Sequence, residues 1–141
     1  MAPPFRVELS PIDVRESSEL EGAIAVFARE ANGGLIVPAS VAAALHRELI
    51  LALAVRHRLP AVYAFSEFAA EGGLICYGPN LAEQYRAGAV YVDRILKGEK
   101  PADLPVQQPA RMELVINRKT ADALGIAIPA QLEILADEVI E

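Results

Sequence analysis

The chain has 141 residues, which is the length of one ordinary domain. Its 13 basic and 19 acidic side chains give a net charge of −6, which argues against a general nucleic-acid binder because phosphate binding needs a basic patch. Hydrophobic residues make up 53% of the chain, enough to bury a core. The single cysteine, Cys76, excludes a disulfide framework and a CxxC site, and two histidines exclude a three-histidine zinc site.

The sequence shows neither a membrane span nor a leader. No apolar run approaches the ~18–20 residues that a span requires. The N-terminus lacks a basic segment followed by an apolar one, so no signal peptide is visible. We therefore expect a cytoplasmic chain if Met1 is the true start, and otherwise a piece of something processed or truncated.

The N-terminal third alternates between strand and helix patterns. A weak edge strand is predicted over 7–14. A capping box at 18–21 opens a helix that the turn at 32–34 ends, since glycine adopts the conformation of a helix stop. The wholly apolar run 35–37 is typical of a parallel strand covered on both faces.

The middle of the chain continues this alternation. Ser40 is predicted to cap a helix over 41–58, and Ser66 is predicted to cap a short one over 67–71. The two strands that accompany these helices are predicted over 61–65 and 74–77. Gly78 and Pro79 are then expected to form a turn.

A third helix follows that turn. Asn80 and Glu83 form a second capping box before a helix over 81–97, which Gly98 stops. One stripe of this helix is apolar, formed by Tyr85, Ala89, Val92 and Leu96. Three prolines over 99–109 predict an extended connector.

The C-terminal segment repeats the pattern on a smaller scale. A strand is predicted over 111–116, a short helix from the cap Asn117 to Leu124, a helical turn from Ile128, and a last strand over 137–140. The alternation predicts an α/β fold with a mostly parallel sheet. We expect one domain over 1–141, with a core at 7–98, the connector 99–109 and a strand–helix return at 110–141, because the return is too short to fold alone.

Polar residues follow three of the predicted parallel strands, where open α/β sheets bind ligands. These residues are Ser40, Ser66 and Asn80, each at a helix start whose free N–H groups favour a carboxylate or another anion. They form either half a pocket for a small zwitterion or merely three helix caps. Glu67 is either the partner of a ligand amine or a favourable first-turn acid, and Tyr77 either stacks on a ligand or lies at the sheet rim.

Catalytic motifs are absent from the sequence. His46 and His57 lie inside a helix pattern, away from the strand ends where a catalytic histidine would stand. Cys76 lies in a buried-strand pattern, in which thiols are usually inert. Neither a nucleophile elbow nor a phosphate loop occurs, so we expect no enzyme and no cofactor.

Three stretches of the chain together carry a family resemblance. They are the segment 57–80, the run RILKGEKPADLP at 94–105, and ELVIN followed by KTA at 113–121. These stretches resemble the substrate-binding proteins of ABC importers, in the group that includes tryptophan and tyrosine binders. The closing ADEVIE is similar as well. The resemblance covers about residues 15–141.

The resemblance implies a periplasmic protein with two Rossmann-like lobes, flavodoxin-like three-layer sandwiches with mostly parallel sheets, that close on a solute around a hinge. This chain resembles the second lobe without its opening strand–helix unit, plus the segment that crosses back to the first lobe. By the same resemblance, the residues that line the cleft are Ser40, Ser66, Glu67, Tyr77 and Asn80. Solute capture then involves no catalysis and no cofactor, and the transport partner is a membrane permease.

Two other functions stay open at this point. One is a cytoplasmic orphan or regulatory domain that descends from such a protein and senses a metabolite, and the other is a small enzyme of flavodoxin-like shape.

An unpaired edge at 7–14 or 35–37 and bare apolar helix faces would drive association. We therefore expect a homodimer or a larger assembly, and we consider an exchange of 111–141 between its chains.

Overall fold

The computed structural model of the chain describes residues 7–13, 16–108 and 111–141. Five strands form one sheet whose spatial order follows the chain, and every neighbouring pair is parallel except the third with the fourth. The predicted α/β fold with a mostly parallel sheet is confirmed. The strands are β1 (Leu35–Val37), β2 (Ala61–Tyr63), β3 (Ile75–Pro79), β4 (Met112–Asn117) and β5 (Glu138–Ile140).

Seven α-helices among the described residues connect and flank these strands. Four of them precede β3, and one 3-10 turn, Pro101–Asp103, follows the fifth. Within the described part of the chain, no helix is both long enough and apolar enough to cross a membrane. The helices are α1 (Ser17–Phe27), α2 (Val41–Leu45), α3 (Arg47–Arg56), α4 (Ser66–Ala70), α5 (Leu81–Leu96), α6 (Arg118–Leu124) and α7 (Ala130–Leu135).

The core lies on one face of the sheet. The strand register places Val37, Tyr63, Cys76 and Val115 in one row across four strands. Apolar residues of α1 to α4 pack on this face, and the ring of Phe68 stacks on Tyr63 with centroids 4.8 Å apart. This one-sided packing supplies the hydrophobic stabilisation that fixes the positions of the first three strands.

The opposite face is covered unevenly. Its row runs from Ile36 on β1 to Ile116 on β4. Ile116 is fully buried, whereas Val62 is 38% exposed and Ile36 is 73% exposed. The expectation that the strand over 35–37 is covered on both faces is therefore wrong, because its outward side chain faces solvent.

The N-terminal segment departs from the sequence prediction. Val7 takes part in an isolated β-bridge, but residues 8–13 form no strand, so the strand predicted over 7–14 is wrong for 8–13, while Val14 lies outside the described residues. The helix α1 begins after Glu16 without any side-chain cap, so the capping box at 18–21 is not formed. It ends at Phe27, before the predicted stop at 32–34, and Asn32 takes the left-handed backbone conformation instead of Gly33 or Gly34.

The helix predicted over 41–58 is broken. His46 leaves the helical conformation, with φ −101° and ψ 20°, and separates α2 from α3. The cap at Ser40 is confirmed, because its Oγ accepts a hydrogen bond from the Ala43 N–H at 3.0 Å. Four residues of α3 after this break are buried, namely Ile50, Leu51, Leu53 and Ala54.

The helix α5 stands apart from the core. None of its 16 residues is buried, and its predicted apolar stripe is exposed, with Tyr85 at 78% and Leu96 at 82%. Gly98 ends it with φ +100°, as predicted. The following connector folds back on it, since the Tyr91 hydroxyl donates to the Pro105 carbonyl and Arg94 pairs with Glu99.

The two last strands are joined by one carboxylate. Asp137 accepts a hydrogen bond from the Leu114 N–H at 2.8 Å and pairs with Arg111, and both interactions hold the pKa of its carboxyl group below its usual value. The Asp137 N–H also donates to the Leu114 carbonyl at 2.8 Å. The start of β5 is thereby fixed beside β4 by backbone and side chain together.

Replacement of Asp137 by asparagine tests this charge. A carboxyl whose pKa is lowered by folding stabilises the folded chain above its unfolded pKa, about 3.9, and loses that contribution as the pH falls through the folded value. We expect Asp137→Asn to lower the urea midpoint of unfolding at pH 7. The difference in urea midpoint between the variant and the parent should become smaller below about pH 4. Asp103→Asn, in the exposed 3-10 turn, is the matched control, and a difference that stays constant down to pH 2 would contradict the assignment.

Candidate functional site

The carboxyl ends of three adjacent parallel strands meet at one edge of the sheet. The strand β1 ends before Ser40, β2 ends before Ser66, and β3 runs directly into Asn80. Because β4 is antiparallel to β3 and Met112 pairs with Pro79, the start of β4 lies at this edge too. The sheet topology therefore gathers the predicted strand-end residues on one side of the molecule, called here the carboxyl edge.

Ser40 and Asn80 act as helix caps at the carboxyl edge. Ser40 is exposed, and its hydroxyl oxygen serves the Ala43 N–H. The Asn80 Oδ1 accepts from the Glu83 N–H at 3.0 Å, while its Nδ2 donates to Glu113 Oε2 at 3.2 Å. Both residues are therefore helix caps, one of the two alternatives that the sequence left open. The Ser40 hydroxyl can still donate its own hydrogen to a further acceptor, because capping uses only its oxygen.

Ser66 is the first residue of α4, and it does not cap that helix. The N-cap position belongs to Phe65 and has no side-chain cap, so the prediction that Ser66 caps this helix is wrong. Within the described part of the chain, the Ser66 hydroxyl and the Glu67 carboxylate make no hydrogen bond or ion pair. Glu67 is an exposed acid in the first helical turn. Both groups are therefore available to an external partner at the carboxyl edge.

Tyr77 lies near the same edge on the other face of the sheet. Cys76 belongs to the buried row, and strand alternation directs the next side chain to the opposite face. Tyr77 is 54% exposed there and pairs across the strands with Leu114. The sheet thus separates the Tyr77 ring from α4, which packs on the core face.

Glu113 is a residue that the sequence analysis did not single out. It follows Met112 at the start of β4, pairs with Gly78, and binds the Asn80 amide. Its position depends on the antiparallel return of β4 to the carboxyl edge, for which the sequence has no local pattern. It adds a second carboxylate to the edge beside Glu67.

The buried titratable groups of the core take no part in the edge. Burial raises the pKa of the Cys76 thiol to about 12, and burial followed by the nearby thiol raises that of Tyr63 to about 12. A thiol with so high a pKa is a poor nucleophile at neutral pH. Among the described residues, no group of three or more acidic, histidine or cysteine side chains is placed to hold a metal ion.

An apolar cavity of about 410 Å³ adjoins one end of the carboxyl edge. It lies between the segment 8–12 and the strand β1, and α1 and Ala43 of α2 close it below. Ser40 is the one candidate residue in its lining. We call this space the edge cavity.

Gly78 sets the spacing of the strands at the carboxyl edge. It belongs to β3, so the turn predicted at Gly78 and Pro79 is wrong. A Cβ atom at this position would lie 1.8 Å from the backbone oxygen of Ala64, just past the end of β2. Only glycine allows β3 to pass this close to the carboxyl end of β2.

Substitution of this glycine tests the close approach. We expect Gly78→Ala to destabilise the chain by about 3 kcal/mol or more, because the Ala64 backbone has no room to yield. Gly88→Ala is the matched control, since a Cβ there meets nothing within 4 Å and alanine favours the helix by roughly 0.5–1 kcal/mol. Urea unfolding measures the stability of both variants. If Gly78→Ala and Gly88→Ala unfolded at the same urea midpoint, the steric argument would be contradicted.

Three solved structures share this fold over most of the chain. One from Streptococcus pneumonia, an ABC domain in complex with L-Trp, has a TM-score of 0.80 at 26% identity and matches 89% of this chain and 42% of its own. A conserved domain protein from Vibrio cholerae has a TM-score of 0.78 at 25% identity, with 88% and 42% covered. A ligand-free, open substrate-binding protein with adhesive properties from Clostridium difficile has a TM-score of 0.61 at 25% identity, with 89% and 41% covered.

The chain thus spans about two fifths of the length of these structures. No curated protein matches its sequence significantly. The family model described as ABC transporter substrate binding protein matches residues 1–140.

Proposed function

Because the chain belongs to the ABC transporter substrate-binding protein family, we propose that it binds a small amino-acid-like solute at the carboxyl edge and performs no chemistry on it. The observation that carries this proposal is the meeting of β1, β2 and β3 at that edge, where Ser66 and Glu67 have no partner within the described chain. Support also comes from the L-Trp bound by the Streptococcus structure.

A zwitterion matches the groups at this edge. The Ser66 hydroxyl can donate to a carboxylate, and the exposed Glu67 carboxylate can accept from an ammonium group. The side chains of Ser40 and Asn80 cap the first turns of α2 and α5. The Ser40 hydroxyl hydrogen, which the cap does not use, is a further donor for the solute. We assign the apolar part of the solute to Tyr77, whose exposed ring flanks the edge from the other face.

The carboxyl edge alone is an open surface. Ligand pockets bury most of their ligand's surface, so a one-sided site binds weakly, with a dissociation constant on the order of millimolar. We propose that a second lobe closes over the solute from the side of the edge and that hinge closure supplies the rest of the affinity. In an exported protein, the closed form would deliver the solute to a membrane permease in the periplasm.

Binding of L-Trp is directly observable because the chain contains no tryptophan. When protein is added to L-Trp, binding should raise the fluorescence anisotropy of the indole. At wavelengths that excite only indole, the chain itself contributes no fluorescence. We expect Glu67→Gln to weaken this binding about tenfold, since a charge-assisted hydrogen bond contributes roughly 1.5–3 kcal/mol. The exposed Glu48→Gln on α3 should leave it unchanged.

Two comparisons make the result specific. Tryptamine, which lacks the carboxylate, and indole-3-propionate, which lacks the amine, should each bind more weakly than L-Trp to the parent chain. Tyr77→Ala should weaken binding, and Leu135→Ala on α7, an exposed apolar residue outside the stripe of α5, is its control. An anisotropy that stays flat up to millimolar protein, or an equal loss in Glu67→Gln and Glu48→Gln, would overturn the assignment of the site.

We also propose that the chain self-associates through the apolar stripe of α5. Three side chains of this stripe, Tyr85, Val92 and Leu96, are each more than half exposed. Contiguous exposed apolar surface of this kind marks interaction sites. The exchange of 111–141 remains a prediction, since the single chain pairs β4 with its own β3.

Light scattering after gel filtration tests self-association. At about 100 μM, a dimer gives a mass of about 30 kDa, twice the 15.1 kDa of the chain. We expect Leu96→Lys to shift the mass toward that of the monomer, while Leu135→Lys on α7, at a similarly exposed leucine, should not. A monomer mass at high micromolar concentration would exclude the dimer.

A further inference from the structure

The face of the sheet that lies opposite the core exposes apolar side chains on its first strands. Ile36, Val62 and Ile75 form one row across β1, β2 and β3, and Ile36 is 73% exposed. Tyr77 borders this row on the side of the carboxyl edge. The apolar residues of α1 to α4 are used on the other face of the same strands. We call the surface formed by Ile36, Val62 and Ile75 the open sheet face.

The open sheet face suits an apolar helix. The strands β1, β2 and β3 contain no charged residue, so this face offers no partner to a charge on an opposing surface. Because neighbouring strands lie about 4.7–4.9 Å apart, the outer two of the three are about 10 Å apart. That distance is close to the width of one α-helix, about 10–12 Å. One helix laid along these strands therefore matches the face in width and in chemistry.

The helix α5 is of this kind. It extends over 16 residues, about 24 Å, and none of them is buried. Its apolar stripe exposes Tyr85, Val92 and Leu96, and the charged residues of the helix lie outside the stripe. The helix α7 also exposes apolar side chains, but it is only six residues long. The chain thus carries an unburied apolar helix and an unburied apolar sheet face of matching size.

We propose that the apolar stripe of α5 packs on the open sheet face of a second copy of the chain. The proposal rests on the self-association proposed above and names the surface that the stripe contacts. In a two-fold dimer this contact occurs twice, because each copy offers one stripe and one open sheet face. A single helix-on-sheet contact is small beside the roughly 1,200–2,000 Å² that stable interfaces bury, so the two contacts act together.

A contact between two α5 helices explains the exposed surfaces less well. It covers both stripes but leaves Ile36 and Val62 of both copies in water, and burial of apolar surface is what drives such association. Packing of α5 on its own sheet is not the arrangement of the single chain. There the connector folds back on α5 through Tyr91 and Arg94, and no residue of the helix is buried. The reciprocal contact buries both kinds of surface at once.

Cysteine cross-linking tests which surfaces meet. Val92→Cys places a thiol in the stripe, Val62→Cys places one on the open sheet face, and the native Cys76 is buried. We would mix an isotopically labelled Val92→Cys chain with an unlabelled Val62→Cys chain at about 100 μM, add a short bismaleimide and weigh the products. We expect the mixed product to exceed the dimer that either variant forms with itself at least tenfold. The parent chain, with Cys76 alone, is the control.

Charge substitutions give a second readout without a cross-linker. Ile36→Lys changes a side chain that is already exposed, so the chain should still fold. We expect Ile36→Lys and Leu96→Glu each to shift the mass in light scattering toward the 15.1 kDa of the monomer. An equimolar mixture of the two should regain part of the dimer, because one contact stays apolar and the other brings opposite charges together. Val26→Lys, at an exposed position on α1, should leave the dimer unchanged.

Three results would overturn the proposal. Val92→Cys cross-links with itself as efficiently as with Val62→Cys, Ile36→Lys stays as dimeric as the parent, or the parent is a monomer at high micromolar concentration. The first two results leave self-association through α5 standing, and the third removes it as well. Because solute is absent from all of these measurements, their failure leaves the proposed solute site to be judged by the L-Trp titration alone.

Discussion

The buried amide of Asn117 holds the carboxy-terminal third of the chain to the rest. Its Oδ1 accepts from the Thr120 N–H at 3.0 Å, its Nδ2 donates to the Ala69 carbonyl at 2.9 Å, and its own N–H donates to the Leu74 carbonyl at 2.9 Å. An amide buried without these partners would cost several kcal/mol. The same residue therefore starts α6, anchors the end of α4 and fixes the register of β4 on β3, on which the position of the carboxyl edge depends.

Much of the fold could be predicted from local sequence, because strand cores and caps are decided by near neighbours. The apolar runs of β1, β2 and β4 and the caps at Ser40, Asn80 and Asn117 follow from such signals. The failures have long-range causes. The alternation of residues 8–13 is not realised as a strand, because alternation alone does not supply a neighbouring strand to pair with. Gly78 is predicted in a turn because its actual requirement, the approach of the Ala64 backbone, comes from a distant part of the chain.

The candidate site shows the same division. The ends of the strands could be located from the sequence, but the hydrogen-bond partner of each polar side chain at those ends could not be predicted from it. Ser40 and Asn80 are engaged by the helix backbone, whereas Ser66 has no capping role although its residue type and place suggest one. Glu113 enters only because β4 returns antiparallel to the edge, and the face on which Tyr77 lies depends on the register of the finished sheet.

The pairing of Pro79 with Met112 means that the chain leaves the sheet and re-enters it at neighbouring points. The described residues between these points, α5 and the connector that folds back on it as far as Pro105, form an arm with two adjacent pivots. Such an arm swings most easily about the line through its pivots, while displacements that pull the two strands apart are opposed by their ladder. Because Asn80 is the first residue beyond one pivot, a swing of the arm would change the geometry of the carboxyl edge at its root, and a load on α5 would then be mechanically coupled to the solute proposed for that edge.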